Sequence, residues 1–113
     1  MLRGNKISND VKSVILDLHQ MRSKEHSTLS LRRSRELLPF EGVGDLEHIV
    51  SKFNCSLFTL GTHQKKRPDN LIMGRMYTNH LLDMFEFCVA NYIPATQFKV
   101  HDINYELKPI LIF

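Results

Sequence analysis

Three consecutive cations, Lys65-Lys66-Arg67, follow His63-Gln64 and precede Pro68, with no acid until Asp69. Contiguous ammonium and guanidinium groups supply charge and donors but little hydrogen-bond pattern. That chemistry suits phosphate binding better than base reading or bond making. His63 and Gln64 can add hydrogen bonds to phosphate or sugar groups. Arg75 and the cluster Arg32-Arg33-Ser34-Arg35 are further candidates for an RNA surface. A plainer reading stands beside each: a short charge run is usually a solvated loop, and an arginine inside a strand usually faces water. The arginine cluster, without flanking order, fits a flexible electrostatic tether as well as an exposed loop without a partner.

Other chemistries find no constellation. The chain has six histidines, yet none forms His-x-x-x-His on a helix face, and His48 and Cys55 lack a second pair to complete a metal site. His19 falls beside an apolar stripe and reads as a boundary residue. Asp83 and Glu86 lie three apart, on opposite faces of a strand, which argues against a paired acid–base site. There is no glycine-rich phosphate loop ending in lysine and no Gly-x-Ser-x-Gly elbow. The expectation is a protein without enzymatic activity, metal or other cofactor. Two cysteines, Cys55 and Cys88, sit in apolar runs and are expected as buried free thiols of a reducing compartment.

The elements that must position the cations read as strands over residues 56–60 and 71–77, joined by the ten residues 61–70. A plain hairpin needs about two to five linking residues, so this connector is long, and Pro68 stiffens it. Asn70 is expected to close its turn. Upstream, Ser8 or Asn9 can cap a helix whose stripe is Val11, Val14, Ile15, Leu18 and Met21, with Arg22 and Lys24 in its last turn. Residues 25–36 lack periodicity and read as a loop. After Gly42-Val43-Gly44, Asp45 is a candidate cap for a second helix with Leu46, Ile49, Val50 and Phe53 on one face.

Residues 81–93 suit a helix through Leu81, Phe85, Cys88, Val89 and Tyr92, or a strand through Phe85, Phe87 and Val89. Aromatic content and Pro94 favour the strand. Residues 110–113 read as a short strand. The expected core is Val14, Ile15, Leu18, Leu46, Ile49, Phe53, Leu57, Phe58 and Leu60.

With 113 residues the chain holds one domain at most, and 42% apolar with 24% charged residues is ordinary for a globular chain. Residues 1–80 carry 13 Lys/Arg against 8 Asp/Glu, whereas residues 81–113 carry 2 against 4, so the basic part favours an acidic partner. No apolar run approaches the roughly eighteen residues of a membrane span, and polar residues interrupt any signal-peptide core. Four apolar residues at positions 110–113 need neighbours to bury them. They suggest a chain cut short, an early-ending gene model or a degenerate copy, with an exposed edge.

Cys55-Ser56-Leu57-Phe58 leading into residues 61–71, then Gly74-Arg75-Met76-Tyr77, resembles a signature of the Brix-domain family. Leu2-Arg3-Gly4, Pro39-Phe40-Glu41, Leu81-Leu82-Asp83-Met84 and Lys108-Pro109-Ile110-Leu111-Ile112-Phe113 extend the resemblance nearly end to end. Thr62 stands where serine is usual, Cys88 where glycine is common, and Thr78-Asn79 replaces a more typical acidic position.

The resemblance implies an α/β (α+β) domain in which two amphipathic helices cover a small, mostly antiparallel sheet. Residues 1–113 would form the N-terminal half of a Brix domain, anticodon-binding-domain-like, with the C-terminal half absent. It also implies a nucleolar, nuclear factor for large (60S) ribosomal subunit assembly and pre-rRNA maturation. Its partners would be 5S rRNA, large-subunit precursor rRNA, a regulator-of-ribosome-synthesis protein and the 5S-associated ribosomal proteins, with no membrane and no small-molecule substrate. The RNA-binding residues would be His63, Gln64, Lys65, Lys66, Arg67, Arg75, Arg32, Arg33 and Arg35. The alternatives are a protein-interaction module without RNA binding and a truncated, non-functional copy.

Overall fold

A computed structural model describes residues 1–4, 6–21, 29–30, 37–98, 110 and 112. In chain order the elements are β1 (Leu2–Arg3), α1 (Asn9–Gln20), β2 (Leu29–Ser30), α2 (Gly44–Lys52), β3 (Leu57–Thr62), β4 (Asn70–Tyr77) and β5 (His80–Cys88), followed by a short 3-10 turn at Ala95–Gln97. The sheet order is β2-β1-β3-β4-β5. β1 runs parallel to both β2 and β3, while β3, β4 and β5 form an antiparallel meander. The expected α/β (α+β) class with two helices is therefore present, and the sheet is mixed, antiparallel through its three longer strands.

Period-two alternation divides the sheet into two apolar faces. On one, Phe58, Leu60, Ile72 and Met76 pack with Leu2, Leu37 and the α2 residues Leu46 and Val50, with Ile49 alongside. On the other, Leu71 packs with Val11 and Ile15 of α1, flanked by Val14, Leu18, Met73 and Val89. The helices thus cover opposite faces. At Gly61, α1 lies so close that a Cβ would stand 2.6 Å from the Ile15 Cδ1 and 2.7 Å from the Val11 Cγ1. Glycine here is a condition of helix-to-sheet approach.

Ser8 is the N-cap of α1, its hydroxyl accepting from the Val11 N–H at 3.3 Å. Ser8→Ala leaves that donor without its side-chain acceptor and is expected to cost about 1 kcal/mol of stability in chemical denaturation. At the far end of α1, the Asp17 carboxylate accepts from the Tyr92 hydroxyl at 2.5 Å and from the Ala95 N–H at 2.9 Å. This hydrogen bond, then desolvation, pushes the Tyr92 phenol up to about 12. The pair of bonds fastens the segment after β5 onto the first helix.

The β4–β5 turn is Thr78-Asn79, with φ of 48° and 67°, the left-handed pair that a two-residue hairpin demands. A β-branched residue is costly there, and Thr78 is held by strands on both sides. Pairing then slips by one residue between Arg75 and Met76: Met76 faces Leu81 but Arg75 faces Asp83, so Leu82 is the extra residue of a bulge.

Several expectations are corrected. Asp45 lies inside the first turn of α2, whose N-cap is Val43, with no side-chain cap bond; the acid serves the helix dipole instead. Phe53 is 45% exposed, because it follows the last turn of α2, and Leu57 is 67% exposed, because it lies on the α1-facing side beyond the reach of that helix. Met21, at the C-cap of α1, is 65% exposed. Cys55 and Cys88 are free as expected but exposed, the first before β3 and the second at the end of an outer strand. Leu29–Ser30, within the expected loop, pairs with β1. Ile110 and Ile112 lie in no strand and are exposed; Arg22, Lys24 and the rest of residues 110–113 lie outside the described residues.

Candidate nucleic-acid interface

β3 continues through Gly61 and Thr62, and β4 begins at Asn70, so the connector is residues 63–69 and not 61–70. Thr62 pairs with Asn70 across its base. Asn70 is not a turn residue. It is a buried strand residue whose amide donates to the Thr62 hydroxyl at 3.3 Å and to Glu86 at 2.6 Å.

Inside the connector the chain closes on itself. The Gln64 N–H donates to the Arg67 carbonyl at 3.0 Å, and the Arg67 N–H donates to the Gln64 carbonyl at 3.1 Å. The His63 Nδ1 accepts from the Asp69 N–H at 3.3 Å and lies 3.3 Å from the Asp69 carboxylate. Lys65 and Lys66 therefore stand at the tip of a loop pinned from within. Both are exposed, and among the described residues no ion pair holds either one.

Arg67 differs from its two neighbours. Its Nη1 donates to both Glu86 oxygens, at 2.9 and 2.7 Å, and its guanidinium lies over the Phe40 ring at 5.6 Å from the centroid. Glu86 and Phe40 were not foreseen as parts of this site. No spacing in the sequence ties residue 67 to residue 86; only the sheet register does.

Arg75 belongs elsewhere. It lies roughly five residues along β4 from the loop, about 17 Å by strand rise, on the sheet face that carries Leu57 and Asp83. There its guanidinium is engaged by the Asp83 carboxylate through two hydrogen bonds. The bond to Arg75 holds the Asp83 carboxyl below its usual range and raises the guanidinium in turn. Arg32, Arg33 and Arg35 lie outside the described residues. The structure therefore gathers His63, Gln64, Lys65, Lys66 and Arg67 into one loop and leaves Arg75 apart.

Among the described residues, no three His, Cys, Asp or Glu side chains are placed to hold a metal ion, and no helix is long and apolar enough to cross a membrane. The arrangement offers two exposed ammonium groups on a loop closed by its own backbone, a geometry for meeting an extended polyanion.

Comparison with known proteins gives the family. A Brix domain model matches residues 4–113. The chain is 38% identical over 112 residues to the Ribosome production factor 2 homolog of Drosophila melanogaster, covering 99% of this chain and 34% of that protein. It is 35% identical over 113 residues to the Homo sapiens homolog, covering 100% of this chain and 36% of that protein. The Schizosaccharomyces pombe homolog is 33% identical over 112 residues, covering 99% and 35% respectively. The chain thus spans about a third of the length of these curated relatives. A domain match over nearly every residue, with relatives as distant as fly, human and fission yeast, places this chain in the Brix-domain family.

Proposed function

We propose that this chain is an RNA-binding, non-enzymatic part of a ribosome assembly factor, working in the nucleus and nucleolus on precursors of the large subunit. The relatives' name supports a role in ribosome production. The observation that carries the RNA reading is the Lys65-Lys66 tip, exposed and without an ion pair among the described residues, on a loop closed by its own backbone. The cations meet phosphates, His63 and Gln64 add polar contacts at the loop base, and no cofactor enters. The RNAs are 5S rRNA and large-subunit precursor rRNA. The protein partners are a regulator-of-ribosome-synthesis protein and the ribosomal proteins that accompany 5S rRNA, with loading of that particle as the step served.

A protein-interaction role without RNA has its own support. Leu57, Leu82, Phe85 and Phe87 leave a largely apolar surface around the meander, at 47–67% exposure. A salt titration separates the readings. Each phosphate neutralised on duplex nucleic acid contributes about 0.9 to the log–log salt slope. Lys65→Ala/Lys66→Ala is therefore expected to flatten the slope for 5S rRNA by about two units, and that for an unrelated structured RNA equally. An unchanged slope removes the loop from RNA binding and leaves the apolar surface as the working part.

A further inference from the structure

Arg67 reads in sequence as the third member of a cationic run, yet its surroundings differ from those of Lys65 and Lys66. Both oxygens of Glu86 accept from it, the Phe40 ring lies against its guanidinium, and its backbone is bonded both ways to Gln64. Glu86 in turn accepts from Asn70 at the start of β4. These contacts join the loop, the segment before α2, and β4 and β5 through the side chains of Arg67 and Glu86.

A guanidinium paired with a carboxylate on one side and stacked on an aromatic ring has little charge left for a phosphate. To reach RNA it would have to leave both partners. An exposed ion pair of this kind contributes little to global stability; its effect is to fix where the two preceding residues stand. We infer that Arg67 is a positioning residue, clamped by Glu86 and Phe40 so that the Lys65-Lys66 tip is presented to RNA in an ordered form. The inference rests on the proposed RNA-binding reading of the loop and divides the cationic run into two contacts and one strut.

The test uses the full chain, 5S rRNA as probe, and the variants Arg67→Lys, Glu86→Ala and Lys65→Ala/Lys66→Ala. Lysine keeps the charge of Arg67 but loses the fork and the stacking plane. As a strut, Arg67→Lys loses about tenfold in affinity, the cost of ordering roughly one residue's backbone on binding, with an unchanged salt slope. Glu86→Ala is expected to lose affinity by a similar factor. Removing a carboxylate from a basic surface otherwise tightens RNA binding, so the expected sign is opposite to simple electrostatics. In both variants the Gln64 and Arg67 amides exchange hydrogen faster than in wild type. Tm stays near its original value in Arg67→Lys, while Glu86→Ala, which also takes an acceptor from the buried Asn70 amide, lowers it.

Retained affinity in Arg67→Lys overturns the inference, as does tighter binding with a steeper slope in Glu86→Ala. Unchanged amide protection in either variant overturns it too, and this readout needs no RNA. If Lys65→Ala/Lys66→Ala leaves the slope unchanged, the RNA reading fails, while amide exchange still decides whether Arg67 orders the loop.

Discussion

Leu60→Ala is expected to remove about 3–5 kcal/mol of stability. Leu60 is fully buried in the middle strand of the sheet, paired with Ile72 on one side and Leu2 on the other. Its side chain belongs to the cluster that α2 closes with Leu46 and Val50. Strands on both sides and a helix above leave no element free to collapse into the space, which puts the cost toward the upper part of the usual range. A domain of this size holds roughly 5–15 kcal/mol in all. The variant should lose more than about 10 °C in Tm and unfold at much lower urea. Leu60→Met, nearly equal in volume, should stay within about 1.5 kcal/mol of wild type. A loss below about 1 kcal/mol for the alanine variant in a folded chain would mean that the α2-facing cluster is not the main core.

The second large effect comes from adding atoms. A Cβ on Gly74 would stand 2.5 Å from the Phe58 ring and 2.8 Å from the Asp83 carbonyl oxygen. The ring can turn, but the carbonyl belongs to β5 beside the bulge and can move only with its strand. Gly74→Ala should therefore cost about 1–3 kcal/mol or more. Pairing it with Phe58→Leu should recover only the part due to the ring, a non-additivity that a double-mutant cycle reads directly. Full recovery would show that the ring alone decides the site, and that the β4–β5 backbone yields.

Much of the frame is legible in residue order. The Val11, Ile15 and Leu18 stripe gives α1, Leu46 and Val50 give the buried side of α2, and the alternation of Phe85 and Phe87 gives β5, which stops at Cys88, one residue before Val89. What composition hides is where strands stop. Gly61, Thr62 and Asn70 look like loop residues, yet β3–β4 pairing claims all three. The exposure of Leu57 and Phe53 is equally hidden, because a strand's apolar face is buried only as far as a helix covers it.

The site was legible as a loop but not as a set of partners. Counting register back from the Thr78-Asn79 turn without the bulge would set Glu86 opposite Leu71, on the α1 face. The one-residue slip at Arg75 and Met76 sets it opposite Ile72 instead, on the other face, where it meets Arg67 and Asn70. A single unpaired leucine thus determines which side of the sheet supports the cationic loop, and nothing local to Lys65-Lys66-Arg67 records it.

The parallel pairing of β1 with β3 also sets a timetable. Leu2 leaves the ribosome before its strand partner Leu60 exists. At roughly 5–20 residues per second, β1 waits about 1–5 s for β2 and about 3–12 s for the middle strand β3. The β3–β4–β5 meander closes over short separations and can form as it emerges. Leu2 is thus made well before the middle strand that it flanks, and for those seconds Leu2 and the α1 stripe remain open to whatever binds nascent apolar chain.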